Sequence, residues 1–381
     1  MNFIKSIIAA AISKLPAKNI IIFESLPDFS DNTLAVFKEF INRGLNNNYK
    51  LVWTTHGAGE LPEEMRSLKN VIAVNMDSAA YKYYYSFFAK GLVVSNYFMQ
   101  KRRKEQYYIY LAHGAAFKGI KDKRYVVPED CYGCDFCAYS EYLGKYDVNN
   151  LHTDIYDVSI IETGYARNDI LFTENEKCSK LFDTEKYIYW LPTFRQKKDD
   201  KTSVSKISVP FIYDKENAEK INEVARNNNI TIVIKPHPAQ DMSFIDISDL
   251  SNIILIDNDF LIKNGINNYE LLGNSSALLS DYSSVFYDYL LCDKPIGFCW
   301  EDFDEYVKNE GINDELLPLT ECGEKLYTVD DLCEFIKNTA EGKDTAKDKR
   351  VEIKNKVHKF CDSNSSQRIA DRIIEKIKDV S

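Results

Sequence analysis

Residues 19–75 contain Asn19-Ile20-Ile21-Ile22-Phe23-Glu24, an amphipathic stretch from Asn32 to Arg43, then Tyr49-Lys50-Leu51-Val52-Trp53-Thr54 and Val71-Ile72-Ala73-Val74-Asn75. Short β-branched runs alternating with helical stretches are the rhythm of βαβ units. The runs are apolar throughout rather than alternating, as strands must be when helices cover both faces of a parallel sheet. Gly91 to Ser95, Tyr107 to Leu111 and Ser159 to Thr163 continue the pattern, and a charged stretch, Thr173 to Lys186, is expected to form a connecting helix. The alternation then restarts with Tyr187 to Leu191, a helix over Glu216 to Asn227, Thr231 to Lys235, Ile253 to Ile256, Leu278 to Ser280 and Pro295 to Phe298. The expected fold class is therefore α/β with two doubly wound sheets. The expected domains are residues 1–172, residues 173–345, and a C-terminal helical segment over 346–381 that packs back toward the first domain. Two such sheets facing each other leave a cleft at the carboxyl ends of their strands, where ligands of this architecture bind.

Composition narrows the function. The chain has 381 residues, 45% of them hydrophobic, enough to give two domains a core each. A formal net charge of −10 and no long Lys/Arg run argue against a nucleic-acid binder, which needs a basic footprint, and leave room only for a local basic site. Nine cysteines without a secretory leader or paired framework predict reduced thiols and a cytoplasmic location. No stretch approaches the roughly 18 apolar residues of a spanning helix. Met1 to Leu15, however, sets Phe3, Ile4, Ile7, Ile8, Ala11, Ile12 and Leu15 opposite Lys5, Ser6, Ser13 and Lys14. That spacing suits either an interfacial anchor on a membrane surface or a first helix packed on its own domain.

Four strand ends carry chemistry. Asp281-Tyr282-Ser283-Ser284 joins an apolar strand to a helix start, where unpaired N–H groups attract an anion; the alternative is an ordinary capping turn. Lys235-Pro236-His237-Pro238 closes another strand, with prolines fixing the backbone around an imidazole suited to a phosphate oxygen or leaving group. Leu191-Pro192-Thr193-Phe194-Arg195 ends a third, and Arg195 is a bidentate phosphate clamp if it faces the cleft. In the first domain, Ala112-His113-Gly114 turns sharply after a strand, presenting His113 as a general base with Lys118 and Lys121 nearby. His56 is read as structural. Cys131, Cys134 and Cys137 recur every three residues, but lack a fourth ligand and sit among strand and core residues, so no metal is assigned.

Six motifs, in order, resemble those of the CDP-glycerol glycerophosphotransferases, the teichoic-acid primases and polymerases and related capsule enzymes. They are Phe23-Glu24-Ser25 with Asp31-Asn32; His113-Gly114; Thr163-Gly164-Tyr165-Ala166-Arg167-Asn168-Asp169; Pro192-Thr193-Phe194-Arg195; Lys235-Pro236-His237-Pro238; and Asp281-Tyr282-Ser283-Ser284 with Asp288 and Lys294-Pro295. The resemblance implies a GT-B fold, two Rossmann-like domains facing across a cleft, with no cofactor and no metal. It further implies that His113 and His237 are catalytic, and that Arg195, Lys235, Asp281, Ser283, Ser284 and Asp288 bind substrate. An acceptor hydroxyl, deprotonated by His113, would attack the phosphorus bearing glycerol, and CMP would leave. The implied partners are CDP-glycerol or CDP-ribitol as donor, a lipid-linked saccharide or polyol-phosphate acceptor, and the inner membrane surface. The chain departs from the family pattern at Ala115-Ala116-Phe117-Lys118, where a threonine and a proline are usual, and at Ala166, usually proline. Its length leans toward a primase over a long-chain polymerase. A nucleotide-sugar glycosyltransferase or epimerase of the same architecture is the alternative, since fold alone does not fix chemistry. A non-catalytic membrane scaffold using the first helix is another.

Overall fold

The computed structural model describes residues 15–57, 59–96, 99, 101–118, 133–150, 158–194, 209–238, 240, 242 and 247–380. The expectations for Met1 to Lys14, Lys121, Cys131 and Arg195 lie outside these residues. By contact the chain divides into two compact units. The first comprises residues 1–115, 123–169 and 358–381, and the second comprises residues 116–122 and 170–357.

The first unit is built on β1 (Lys18–Glu24), α1 (Asp31–Asn42), β2 (Lys50–Thr55), β3 (Val71–Asn75), β4 (Ala89–Val94), β5 (Tyr107–Tyr110), β6 (Cys134–Ala138), α2 (Glu141–Asn150) and β7 (Val158–Glu162). Its seven strands lie in the order β3-β2-β1-β4-β5-β6-β7, every pair parallel. The order reverses between β1 and β4, which places a topological switch point at their carboxyl ends. Phe23 on β1 meets Phe37 and Phe40 of α1 edge to face at 4.9 and 5.5 Å, and Phe37 meets Trp53 of β2 at 5.2 Å. These contacts seat α1 on the middle of the sheet.

The second unit contains β8 (Lys186–Trp190), α3 (Lys215–Asn227), β9 (Ile230–Ile234), β10 (Ile253–Leu255), α4 (Asn268–Asn274), β11 (Ala277–Ser280), α5 (Val285–Tyr289), β12 (Ile296–Cys299), β13 (Glu324–Leu326), α6 (Val329–Glu341) and α7 (Lys347–Val357). Its order, β10-β9-β8-β11-β12-β13, is again parallel throughout and again reverses beside its first strand. Two all-parallel, doubly wound sheets are the α/β class expected from the apolar strand runs.

Two local readings differ, at the segment before β8 and at β13. The helix expected over Thr173 to Lys186 is confined to Glu176–Ser179. Phe182 instead packs on Tyr187 at 5.1 Å, and the Thr184 hydroxyl is tied to Lys186 and Thr231, which pulls the chain into β8 early. The short edge strand β13 carries too few apolar residues to be visible as a run. Cys134 and Cys137 are buried in β6, where desolvation pushes the Cys137 thiol up to about 12. Among the described residues no group of three or more His, Cys, Asp or Glu side chains could hold a metal ion.

The final helix, α8 (Ser365–Ile377), belongs to the first unit by contact. Ile369, Ala370, Ile373 and Ile377 recur at helical spacing and are fully buried in the first core. Asp169 accepts from the backbone N–H groups of Ser365 and Ser366 at 2.9 and 2.7 Å, placing an acid at the helix start, where the dipole favours it. Arg372 reaches Asp135 on β6 at 2.6 Å. Because this stripe completes the first core, Ile373→Ala is expected to lower unfolding free energy by about 2–5 kcal/mol. Chemical denaturation, with the guanidinium midpoint compared at equal slope, measures it.

Candidate active site

At the carboxyl edge of the first sheet, the connection after β1 ends on Asp31, whose φ of +58° breaks the extended chain and starts α1. Ala112, after β5, also has a positive φ, +57°, and this turn presents His113 to solvent with its side chain 66% exposed. Nδ1 of His113 is hydrogen-bonded to Oδ2 of Asp31, and Arg167 holds the other oxygen at 2.8 Å. Arg167 also donates to the His113 carbonyl. Asn32 locks the same place from behind. Its amide donates to the carbonyls of Leu111 and Ala112 at 3.2 and 2.9 Å, and its side-chain oxygen accepts from the Arg167 backbone N–H at 3.0 Å.

The electrostatics follow from this packing. Burial opposes ionisation of Asp31, but the Arg167 charge and the hydrogen bonds from His113 and Arg167 outweigh it and hold the carboxyl below its ordinary 3.8. An ionised carboxylate can only accept, so Nδ1 of His113 carries the hydrogen and Nε2 is the basic nitrogen. A buried acid thus fixes both the tautomer and the direction of an exposed imidazole, which is what a general base requires. Asp31 and Arg167 were legible only as members of motifs. Their joint role depends on contacts across 136 residues of sequence.

His56 is also paired, its Nε2 lying 2.8 Å from Oε1 of the fully buried Glu24.

In the second unit, the switch point lies at the carboxyl ends of β8 and β11, with the end of β9 next to β8. Asp281 is fully buried; its carboxylate accepts from the Thr193 hydroxyl, from the Thr193 backbone N–H at 2.8 and 3.1 Å, and from the Tyr282 backbone N–H at 2.7 Å. The carboxylate therefore ties the end of β8 to the end of β11 and acts through the turn that it holds. On the other side of β8, the His237 ring lies 5.2 Å from that of Phe194. Lys235, half-buried, lies directly after β9; burial lowers its ammonium below the usual range, with Asp257 pulling the other way. A phosphate placed there would relieve that desolvation. Ser283 and Ser284 are partly exposed at the start of α5, and the Ser284 side chain makes no cap hydrogen bond. The second unit thus gathers Lys235, His237, Ser283 and Ser284 along one sheet edge. Asp288 is apart from them in kind: fully buried within α5, it accepts from the Tyr269 hydroxyl at 2.8 Å.

The profile of the CDP-Glycerol:Poly(glycerophosphate) glycerophosphotransferase family matches residues 7–375. The chain belongs to this family. A teichoic acid glycerol-phosphate primase of Bacillus subtilis (strain 168) is 23% identical over 313 residues, 76% of this chain and 74% of that protein. The teichoic acid ribitol-phosphate polymerase TarL of Staphylococcus aureus (strain NCTC 8325 / PS 47) is 24% identical over 234 residues, 56% of this chain but only 37% of the polymerase's length. Among solved structures, the H548A form of the wall teichoic acid polymerase TagF superposes with a TM-score of 0.73 at 21% identity, covering 97% of this chain and 93% of that one. That likeness extends the GT-B-type fold to this member of the glycerophosphotransferase family.

Asp31 bears on stability as well as on His113. Its folded pKa lies below the unfolded 3.8, so the stabilisation is complete above that value and is lost as pH falls through the folded one. Asp31→Asn removes this dependence and leaves Arg167 without its buried counter-charge, at an expected cost of about 3–5 kcal/mol near neutral pH. Denaturant unfolding of both proteins between about pH 3 and pH 7 measures it: the gap should be widest at neutral pH and close toward the acid end.

Proposed function

We propose that this chain is a CDP-glycerol-dependent glycerophosphotransferase that transfers glycerol phosphate to a hydroxyl of a lipid-linked teichoic-acid or capsule precursor, with release of CMP. The observation that carries the reading is the exposed imidazole of His113, aligned by a buried, ionised Asp31, in a member of this family. His113 takes the proton from the acceptor hydroxyl as its oxygen attacks the phosphorus bearing glycerol. The bond from that phosphorus to the oxygen of CMP breaks, and CMP departs with the electron pair. Lys235, His237, Ser283 and Ser284, together with Arg195, hold the diphosphate and offset the charge that grows on the leaving group. Positioning and charge neutralisation suffice for such a displacement. Asp281 serves this cradle by fixing Thr193 and Tyr282, and Asp288 by fixing α5 against Tyr269.

The ribitol-phosphate relatives favour CDP-ribitol as the second candidate donor. The working place we propose is the inner face of the membrane, where a lipid-linked acceptor resides. Among the described residues no helix is long and apolar enough to cross a membrane. Support for peripheral contact comes from Tyr83 and Tyr84, exposed at 58% and 38%, with the Lys18 ammonium 4.8 Å from the Tyr84 ring centroid.

The deciding assay supplies CDP-glycerol or CDP-ribitol with a lipid-disaccharide acceptor and scores CMP release and product mass. CDP-glycerol is expected to be consumed. His113→Ala should lower kcat by about 10²–10⁴-fold while CDP binding, read by calorimetry, stays within a factor of about two. Consumption of a nucleotide sugar in place of either CDP-alcohol would overturn the reading.

A further inference from the structure

The carboxyl edge of the first sheet carries a second histidine held by a buried acid. Glu24 closes β1 and has no exposure, whereas His56, just beyond β2, keeps 27% of its side chain exposed. β1 and β2 are neighbours with Phe23 opposite Trp53, so both residues stand at the same end of the sheet. The His56 backbone N–H is held by both oxygens of Asp28 at 3.2 and 3.3 Å, and the next carbonyl, Gly57, accepts from the Asn75 amide at 2.7 Å. The turn is thus fixed from the β1 connection and from the end of β3.

Glu24 ends a strand that is otherwise apolar from position 20 onward. The strand before it, Ile20 to Phe23, is buried and apolar, and a buried ionisable pair adds little net stability over an apolar side chain of similar size. What Glu24 does is aim an imidazole. Asp31 does the same for His113, and the two acids flank one connection, from the end of β1 to the start of α1.

We propose that His56, oriented by Glu24, is a binding residue for the hydroxyl-bearing part, polyol or saccharide, of the acceptor. The class of ligand follows from the charge along this edge. Glu24 ends β1, Asp28 lies in the connection that follows and Asp31 opens α1, and Arg167 is paired with Asp31. These acids beside His56 disfavour a diphosphate there and suit neutral hydroxyls, which an imidazole can meet as donor or acceptor. Calling the ligand an acceptor rests on the transferase reading.

The test is calorimetry on the full chain. The acceptor probe is a short-chain alkyl disaccharide ending in glycerol, and the nucleotide probe is CDP. His56→Gln should weaken acceptor-probe binding about tenfold and leave CDP affinity within about twofold. Glu24→Gln, of the same size, should act in the same direction. In the unmodified protein, the imidazole resonances of His56 should shift with the acceptor probe and not with CDP, which gives the answer without any substitution. Failure of the wild type to bind the acceptor probe, unchanged affinity in His56→Gln, an equal loss of CDP affinity, or displacement of the probe by inorganic phosphate would each overturn the assignment. Because binding is read without turnover, these outcomes are separate from an absence of CMP release, which would overturn the transferase reading instead.

Discussion

A single carboxylate, that of Asp31, sits between a guanidinium and an imidazole, and the edge of the first sheet is organised around it. Desolvating an acid is costly unless counter-charge and hydrogen bonds are already in place. Arg167 supplies the charge, and Asn32 supplies the geometry by holding both the backbone before His113 and the backbone N–H of Arg167. The result is an exposed imidazole whose tautomer is set from the protein side.

The second unit handles the opposite charge problem. Its edge contains no acid facing outward among the expected ligand residues; Asp281 and Asp288 are turned inward and spent on holding turns and helix. What remains presented are Lys235, His237 and two serines, groups that gain from an anion. The division of labour between the two edges is chemical: one carries acids backing histidines, the other a lysine, a histidine and hydroxyls.

The fold was largely legible because parallel strands buried on both faces appear as continuous apolar runs, and both sheets announced themselves this way from Ile20 and from Tyr187. Misread elements were those whose outcome depends on distant partners. The segment before β8 has helical composition, yet Phe182 and Thr184 find better contacts in the sheet. The strand-end positions of His113, His237 and Lys235, which we propose for the site, could be read from the sequence. The partners that orient the histidines could not. Asp31 and Arg167 are far from His113 in sequence, and Glu24 ends an apolar run where it resembles a simple strand terminus. Asp281 gave an ambiguous signal, because an acid beside a helix start is equally suited to a ligand and to a scaffold.

The return of α8 to the first unit has a consequence for biosynthesis. Ile369, Ala370, Ile373, Ile377 and Val380 are the last buried apolar side chains of that core to leave the ribosome. Until they arrive, the first sheet keeps an unfinished oily face while nearly two hundred intervening residues of the second unit are being translated. Nascent chains therefore pass through a prolonged stage in which the first unit is synthesised but not yet complete, a window in which chaperone protection matters most.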